Sequence, residues 1–292
     1  MPLDLVIDNV NDNKLFELPN ELNFDVSHEK TRFHEKKYVI NENTDEVIGI
    51  VGNSFNGVSH KDFYDGVQNT ILNNRNSEEL KDAKVKFRTA KNNAWSMVDI
   101  VLPNVKALIQ TPKREIEIAE RLIALHGVDG SCSNQVYFGA IDFFCTNGQI
   151  SGEFDKVRRK NTSRFNIDTF IDELNNAKQT FYTQSDRLQT WANTSLSHHR
   201  SNIDEIIKKI VVSERKAEKM TSLYFNEVSN RGENLFSLYS AFTNYSTYAD
   251  ERNGFNLKNM GNDTNSQSMW NREQEVSKWI SSKEFKQLEL VA

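Results

Sequence analysis

The sequence predicts an α+β fold, with an antiparallel sheet in the N-terminal half and a mainly helical C-terminal half. Short β-branched and aromatic runs separated by polar turns recur through roughly the first half of the chain, which is typical of strands joined by hairpins. After Arg164 the chain has no proline, and apolar residues recur at helical spacing. Strands linked by short turns around one inserted helix favour an antiparallel sheet over alternating βαβ units.

The first elements are an arm, a hairpin and a helix. Residues 1–30 are polar and acidic with weak apolar periodicity, so we predict an extended or partly ordered acidic N-terminal arm. Residues 37–51 contain two β-branched runs around a polar turn, which indicates a hairpin. Ser59 then precedes apolar residues at helical spacing, which predicts a helix over residues 60–73.

Four further strands complete the predicted sheet. Residues 84–100 alternate imperfectly around the turn at residues 91–93 and predict a second hairpin. The spacing of residues 115–126 fits a strand or a helix, and Pro112 before it with turn residues after it favours the strand. Residues 136–145, rich in aromatic and β-branched side chains, are its predicted antiparallel partner.

The remaining chain is predicted to be helical and to pack on the sheet. Helical spacing continues through residues 168–249, residues 251–267 form a polar loop, and a last helix covers residues 270–285. We therefore divide the body into a β-rich region, residues 31–164, and a helical region, residues 165–292, within one integrated domain.

Composition and charge exclude several classes of protein. The 292 residues are 37% hydrophobic and carry a formal net charge of −5, and no window reaches the roughly 18 apolar residues of a membrane span. Asp4 and Asp8 stand where a secretory signal would be basic. We expect a protein of the cytoplasm, of the host cell if it is encoded by a phage, without a membrane partner. Cys132 and Cys145 are too few for a disulfide framework, and we expect buried thiols.

No pattern in the sequence predicts catalysis, a metal or a cofactor. His198 and His199 are adjacent, so their side chains point to different faces and cannot easily share one ion. Cys145 stands in an aromatic run that would bury its thiol and raise its pKa. The chain has no glycine-rich phosphate loop of the usual kinds. We expect a protein that is not an enzyme and needs no cofactor.

Two basic runs suggest a nucleic-acid partner. Residues 156–164 contain five bases and no acid, and a second run lies in the predicted hairpin over residues 84–100. Basic side chains interleaved with aromatic rings on a sheet can hold single-stranded nucleic acid. The candidate binding residues are Lys84, Lys86, Arg88, Lys91, Trp95, Lys156, Arg158, Arg159, Lys160 and Arg164. Each run alone fits a solvated charged turn as well, and Trp95 and Phe87 fit a core as well.

Three segments carry a resemblance to known proteins. The segments are residues 38–65 with Gly49-Ile-Val-Gly52; Leu125-His-Gly-Val-Asp-Gly-Ser131, followed by Gly139, Cys145, Asn147-Gly148 and a basic run to Asn161-Thr162; and residues 233–245 with an aromatic followed by Ala-x-Thr-x-Tyr. Together they resemble the DUF932 family of phage and plasmid proteins of unassigned function. The sequence departs from the family pattern in having His126-Gly127-Val128 where an asparagine usually precedes the Asp-Gly turn.

The resemblance implies that the protein originates from a mobile genetic element, and it does not indicate any catalysed reaction. Combined with the basic runs, it leads us to expect a phage accessory protein of DNA replication or recombination. Such a protein would bind or anneal single strands and form a homo-oligomer. An antiparallel sheet followed by helices is also the general layout of some single-strand annealing proteins, an analogy of element order only. The alternative is a protein–protein effector, which acts against host defence or in host takeover, or a structural component of the virion.

Overall fold

The computed structural model describes residues 4–7, 14–142, 147–150, 156–162, 166–176, 180–248 and 262–290. Within them the chain forms a seven-stranded antiparallel sheet, a three-stranded antiparallel sheet, and helices that mostly follow the strands. The predicted α+β class is confirmed, with the sheets in the N-terminal half and most helices in the C-terminal half. No helix in this part of the chain is long and apolar enough to cross a bilayer.

The elements are numbered in chain order. The strands are β1 (Asp4–Ile7), β2 (Val26–Lys30), β3 (Lys36–Asn41), β4 (Glu46–Gly52), β5 (Lys84–Ala90), β6 (Trp95–Gln110), β7 (Glu115–Gly127), β8 (Asn134–Asp142), β9 (Asn147–Ile150) and β10 (Lys156–Arg159). The helices are α1 (His60–Asn74), α2 (Ser77–Leu80), α3 (Ile167–Asn176), α4 (Thr180–Asn193), α5 (Ile203–Val211), α6 (Glu214–Arg231), α7 (Leu235–Tyr248), α8 (Asn262–Ile280) and α9 (Lys283–Glu289).

The large sheet has the strand order β1-β5-β6-β7-β8-β10, and β9 pairs with the second half of β8. Both predicted hairpins are present, as β3–β4 and as β5–β6. The β5–β6 turn places Lys91, Asn92 and Asn93 at positive φ, a conformation that asparagine tolerates better than most residues. The strand interpretation of residues 115–126 is also confirmed by β7. Its partner β8 ends at Asp142, and Cys145 lies outside the described residues.

Helices cover both faces of the large sheet. On one face α1, α3 and α4 pack against the sheet, and the large core there includes Phe63, Phe87 and Phe170. On the other face α8 lies across β5, and Trp270 joins a smaller cluster with residues such as Trp95. Strand alternation decides which side chains meet which helices, because neighbouring residues of a strand point to opposite faces.

Residues 14–30 belong to the folded body, so the prediction of an acidic arm is wrong for this part. Leu15, Phe16 and Leu22 are buried in the large core, and the Phe16 ring lies 5.1 Å from the Phe87 ring. The segment also ends in β2, which pairs with β3. Apolar side chains placed among the acids bury enough area to order the segment, which composition does not show.

The C-terminal helices also differ from the prediction. The predicted loop over residues 251–267 overlaps α8, which begins at Asn262; residues 251–261 lie outside the described residues. The single predicted helix over residues 270–285 is instead the end of α8 followed by α9. Ser282 separates the two, because its hydroxyl accepts a hydrogen bond from the Phe285 amide at 3.2 Å and so caps α9.

Candidate nucleic-acid interface

The register of the large sheet places residues of both basic runs on one face. Residues opposite each other in antiparallel strands share a face. One row across the sheet contains Arg88, Met97, Leu125, Gln135 and Arg158. The next row contains Lys86, Asp99, Ile123, Tyr137 and Lys156. The basic residues of β5 and β10 are therefore on the same face but four strand spacings apart, about 19 Å.

Both runs extend to the same end of the sheet, where β5, β7 and β10 finish. Burial, with a further contribution from Asp129, raises the pKa of the Cys132 thiol to about 12. Lys91 of the β5–β6 turn and Arg158 of β10 both act in the opposite direction on this thiol. Because electrostatic effects weaken with distance, Lys91 and Arg158 both lie in the neighbourhood of the half-buried Cys132.

The exposed cations at this end form a surface that we name the cationic rim, made of Lys91, Arg158 and Lys160. All three side chains are exposed. Ser133 orients Arg158, whose Nε donates a hydrogen bond to the Ser133 hydroxyl at 2.8 Å. The Lys91 ammonium is 3.9 Å from an Asp129 carboxylate oxygen, which is a loose ion pair. The rim is therefore open to a ligand and only partly neutralised by the protein.

Trp95 does not present its ring to solvent. Its side chain is only 3% exposed and packs in the cluster beneath α8, while Phe87 is fully buried on the opposite face. The core interpretation that the sequence left open is therefore the one that the structure shows for both rings. Arg159 also points away from the rim, because its guanidinium pairs with Glu173 of α3.

The remaining candidates fall into three groups. Lys84 is exposed at the start of β5. Lys86 and Arg88 are half-buried near Asp99: burial would raise the pKa of that carboxyl, but Arg121 together with Arg88 and Lys86 holds it below its usual value. The Lys156 side chain and the whole of Arg164 lie outside the described part of the structure.

Two of the three segments that carry the family resemblance, residues 38–65 and residues 125–162, meet beside the rim. A Cβ on Gly49 of β4 would lie 2.8 Å from the Cβ of Asp129, so only glycine fits this contact. Gly130 has φ +74°, which favours glycine in the Asp-Gly-Ser turn. The Asn161 side chain donates to the Gly127 carbonyl at 3.0 Å. The turn is thus the junction of the small sheet, the large sheet and the chain after β10.

A buried polar cluster behind the turn was not predicted. The Nδ1 of His60 lies 2.8 Å from the Nδ1 of His126 and 2.9 Å from the Ser96 hydroxyl, which also meets the Tyr64 hydroxyl at 2.9 Å. Burial lowers the pKa of both rings, that of His60 to about 4, so both are neutral at pH 7. All four residues are buried, which makes this network a part of the core.

The family to which the chain belongs covers most of its length. A family model described as a domain of unknown function (DUF932) matches residues 47–284. The chain belongs to the DUF932 family. The region shared with DUF932 runs from β4 to α9 and contains the rim and the Asp-Gly-Ser turn. No curated protein and no solved structure matches the chain. The described residues contain no group of His, Cys, Asp or Glu side chains that could hold a metal ion.

Proposed function

We propose that this DUF932 protein is an accessory protein of phage or plasmid DNA replication or recombination that binds single-stranded nucleic acid at the cationic rim. One observation carries the proposal: the sheet register places the basic residues of β5 and β10 on one face, and both strands finish at the same end, where Lys91, Arg158 and Lys160 are exposed. Two basic segments that are distant in sequence thus form one surface. Because these side chains are exposed, phosphates can reach them without a rearrangement of the core.

Binding at the rim depends on phosphate neutralisation, with no exposed ring from Trp95 to stack a base. Three cations that neutralise phosphates of a single strand release counterions, and log affinity then falls against log salt with a slope of about −2. Annealing would need two strands held by neighbouring copies, which is why a homo-oligomer remains part of the proposal.

Fluorescence anisotropy with labelled oligothymidine at two salt concentrations tests the proposal. The variant Lys91→Ala/Arg158→Ala/Lys160→Ala should lose most of its low-salt affinity and flatten the salt slope toward zero. The matched control is Lys209→Ala/Arg215→Ala/Lys219→Ala, which removes three exposed bases from α5 and α6. The control should keep both the affinity and the slope. If the wild-type protein does not bind at low salt, binding at the exposed rim is refuted. Oligouridine in parallel distinguishes RNA from DNA.

A different surface favours the alternative, a protein–protein effector or virion component. Phe33, Val47 and Ile50 of the small-sheet region are each more than half exposed, and β3 places Tyr38 opposite Ile50. Exposed apolar side chains that share one small sheet are typical of protein contacts. Solution mass, measured for wild type and for Val47→Lys/Ile50→Lys, tests whether a second copy occupies this surface. A mass that falls in the variant, with no oligonucleotide binding by wild type, would favour this alternative.

A further inference from the structure

The face of the large sheet beneath α8 combines a ring with a cation. Tyr137 of β8 contacts the Trp270 ring of α8 at a centroid distance of 4.6 Å and an angle of 66°. Trp270 is only 8% exposed and reaches the cluster that also contains Trp95 and Leu125. The Trp270 ring of α8 thus covers the Tyr137 ring on this face of the sheet.

A carboxylate of α8 covers the neighbouring cation. Arg121 of β7 donates to both oxygens of Asp99, at 2.9 and 2.7 Å, and its Nη2 also donates to Glu273 of α8 at 3.1 Å. All three side chains are largely buried, with Glu273 the most enclosed. Asp99 by itself therefore holds Arg121 in place through a bidentate pair, and Glu273 is an additional anion.

Hydrogen bonding between α8 and the sheet is incomplete. Arg121 Nη1, Glu273 Oε2 and Gln274 Nε2 are buried without a hydrogen-bond partner among the described residues. Contacts of α8 with α7 combine ring packing, with the Trp279 ring 5.3 Å from Phe242, and polar contacts. The Tyr245 hydroxyl donates to Glu275 at 3.0 Å, and Arg272 Nε donates to the Ser246 carbonyl at 3.2 Å. The α7 side of the helix is thus a fitted core contact, whereas the sheet side leaves polar groups unsatisfied.

We propose that Tyr137 and Arg121 form a base-and-phosphate subsite of the nucleic-acid interface, which Trp270 and Glu273 occupy as an internal mimic until a single strand displaces them. This inference rests on the proposed function. A nucleotide presents a flat ring and an anion, and Trp270 and Glu273 present the same pair of groups to the same side chains. On displacement, Arg121 keeps its bidentate pair with Asp99, and a phosphate takes the place of Glu273.

The subsite is continuous with the cationic rim. Tyr137 lies two residues along β8 from Gln135, which is opposite Arg158 of the rim. This separation is about 7 Å. A strand bound at Arg158 can therefore extend along the same face to Tyr137, and then to Arg121 on the next strand.

The order of residues in α8 allows its first part to leave the sheet. Trp270 and Glu273 precede the residues that anchor the helix in the large core, Val276, Trp279 and Ile280. Lifting the N-terminal part of α8 would break the hydrogen bond from Arg272 to the Ser246 carbonyl of α7 and would leave the later turns packed on α7. Displacement of the mimic therefore does not require the whole helix to dissociate.

Affinity for oligothymidine provides the first test. Trp270→Leu/Glu273→Gln weakens the mimic and retains an apolar and a polar side chain, so it should bind at least about fivefold more tightly than wild type. Glu218→Gln removes the same charge from the exposed surface of α6 and should leave affinity unchanged. Val276→Ala loosens α8 on its core side and should have a smaller effect than the double variant. Unchanged or weaker binding by the double variant overturns the inference.

Hydrogen–deuterium exchange of the wild-type protein, with and without oligothymidine, provides the second test. Binding should speed amide exchange in residues 262–274 and slow it at the rim. Slower exchange at the rim with no change in α8 overturns the mimic but leaves the proposed function standing. If neither wild type nor the double variant binds, both proposals fail. Binding by the double variant alone supports the mimic and identifies wild type as the inhibited form.

Discussion

The two faces of the large sheet are built from different chemistry. Glu120 and Arg121 are neighbours on β7 and point to opposite faces. Glu120 accepts two hydrogen bonds from Arg75, which follows α1, at 3.0 and 2.8 Å, and Arg75 also lies 3.9 Å from a Glu79 carboxylate oxygen in a loose ion pair. Arg121 hydrogen-bonds to two carboxylates, Asp99 and Glu273, beneath α8.

The difference indicates which face serves stability and which can serve a ligand. On the α1 face the Arg75–Glu120 pair is bidentate, and aromatic rings such as Phe63 fill the core around it. On the α8 face an additional carboxylate and a covering ring leave polar atoms unsatisfied. The α1 side also contains buried polar atoms without a hydrogen-bond partner among the described residues, such as His126 Nε2 and Gln68 Oε1, so the main difference is the exposed cationic rim next to the α8 face. A face with surplus polar groups next to an exposed cationic rim can gain hydrogen bonds from a ligand.

Truncation of the α1 face should have the largest effect on stability. Phe63 is fully buried, stacks on His126 at 4.7 Å and contacts Phe170. Phe63→Ala should lower the free energy of unfolding by about 3–5 kcal/mol through lost burial and a cavity. Urea denaturation, monitored by circular dichroism, measures this change in the free energy of unfolding. A loss below about 1 kcal/mol would mean that the α1 face is not the main core.

Lowering the pH should destabilise the α1 face, because the buried His60 binds a proton more readily in the unfolded state. The folded pKa of His60, about 4, lies below its unfolded value of 6.5, so between these values only the unfolded state binds the proton. Stability is complete above pH 6.5 and falls as pH drops toward 4, by about 3 kcal/mol for His60. His60→Gln should flatten this part of the stability curve, measured by urea denaturation from pH 7.5 to 4. Equal slopes in wild type and variant would contradict the buried neutral pair.

Removing one buried carboxylate from each face should give the smallest losses of stability, and the two losses compare the faces directly. Glu120→Gln breaks a bidentate pair and should cost about 2 kcal/mol. Glu273→Gln removes a single 3.1 Å contact while Asp99 still holds Arg121, and should cost under about 1 kcal/mol. Thermal or urea unfolding of the two variants measures the difference. A greater loss for Glu273→Gln would show that α8 is a fixed part of the core and would weaken the displacement proposal.

Local chemistry made much of the sheet predictable. The β5–β6 hairpin follows from alternation on both sides of Lys91-Asn92-Asn93, a turn whose residues adopt positive φ. Ser59 marks the start of α1, and its hydroxyl accepts from the Asp62 amide at 3.0 Å. These features depend on residues within a few positions of each other, so the sequence displays them directly.

Long-range packing accounts for the predictions that were wrong. Phe16 is ordered because it packs on Phe87 and Tyr64, which belong to elements far along the chain. The pairing of His60 with His126 likewise joins α1 to the end of β7. Neither contact leaves a local pattern, since each depends on how separate elements meet.

By itself the sequence determined the class of the fold, the hairpins and the presence of two concentrated basic runs. It also determined that Lys84, Lys86 and Arg88 share one face of β5, because side chains alternate along a strand. Only the tertiary structure decided that α8 covers this face, buries Trp95 and leaves Lys91 and Arg158 exposed at its end. Alternation assigns side chains to two faces, but the element that covers a face comes from elsewhere in the chain, and burial depends on that element.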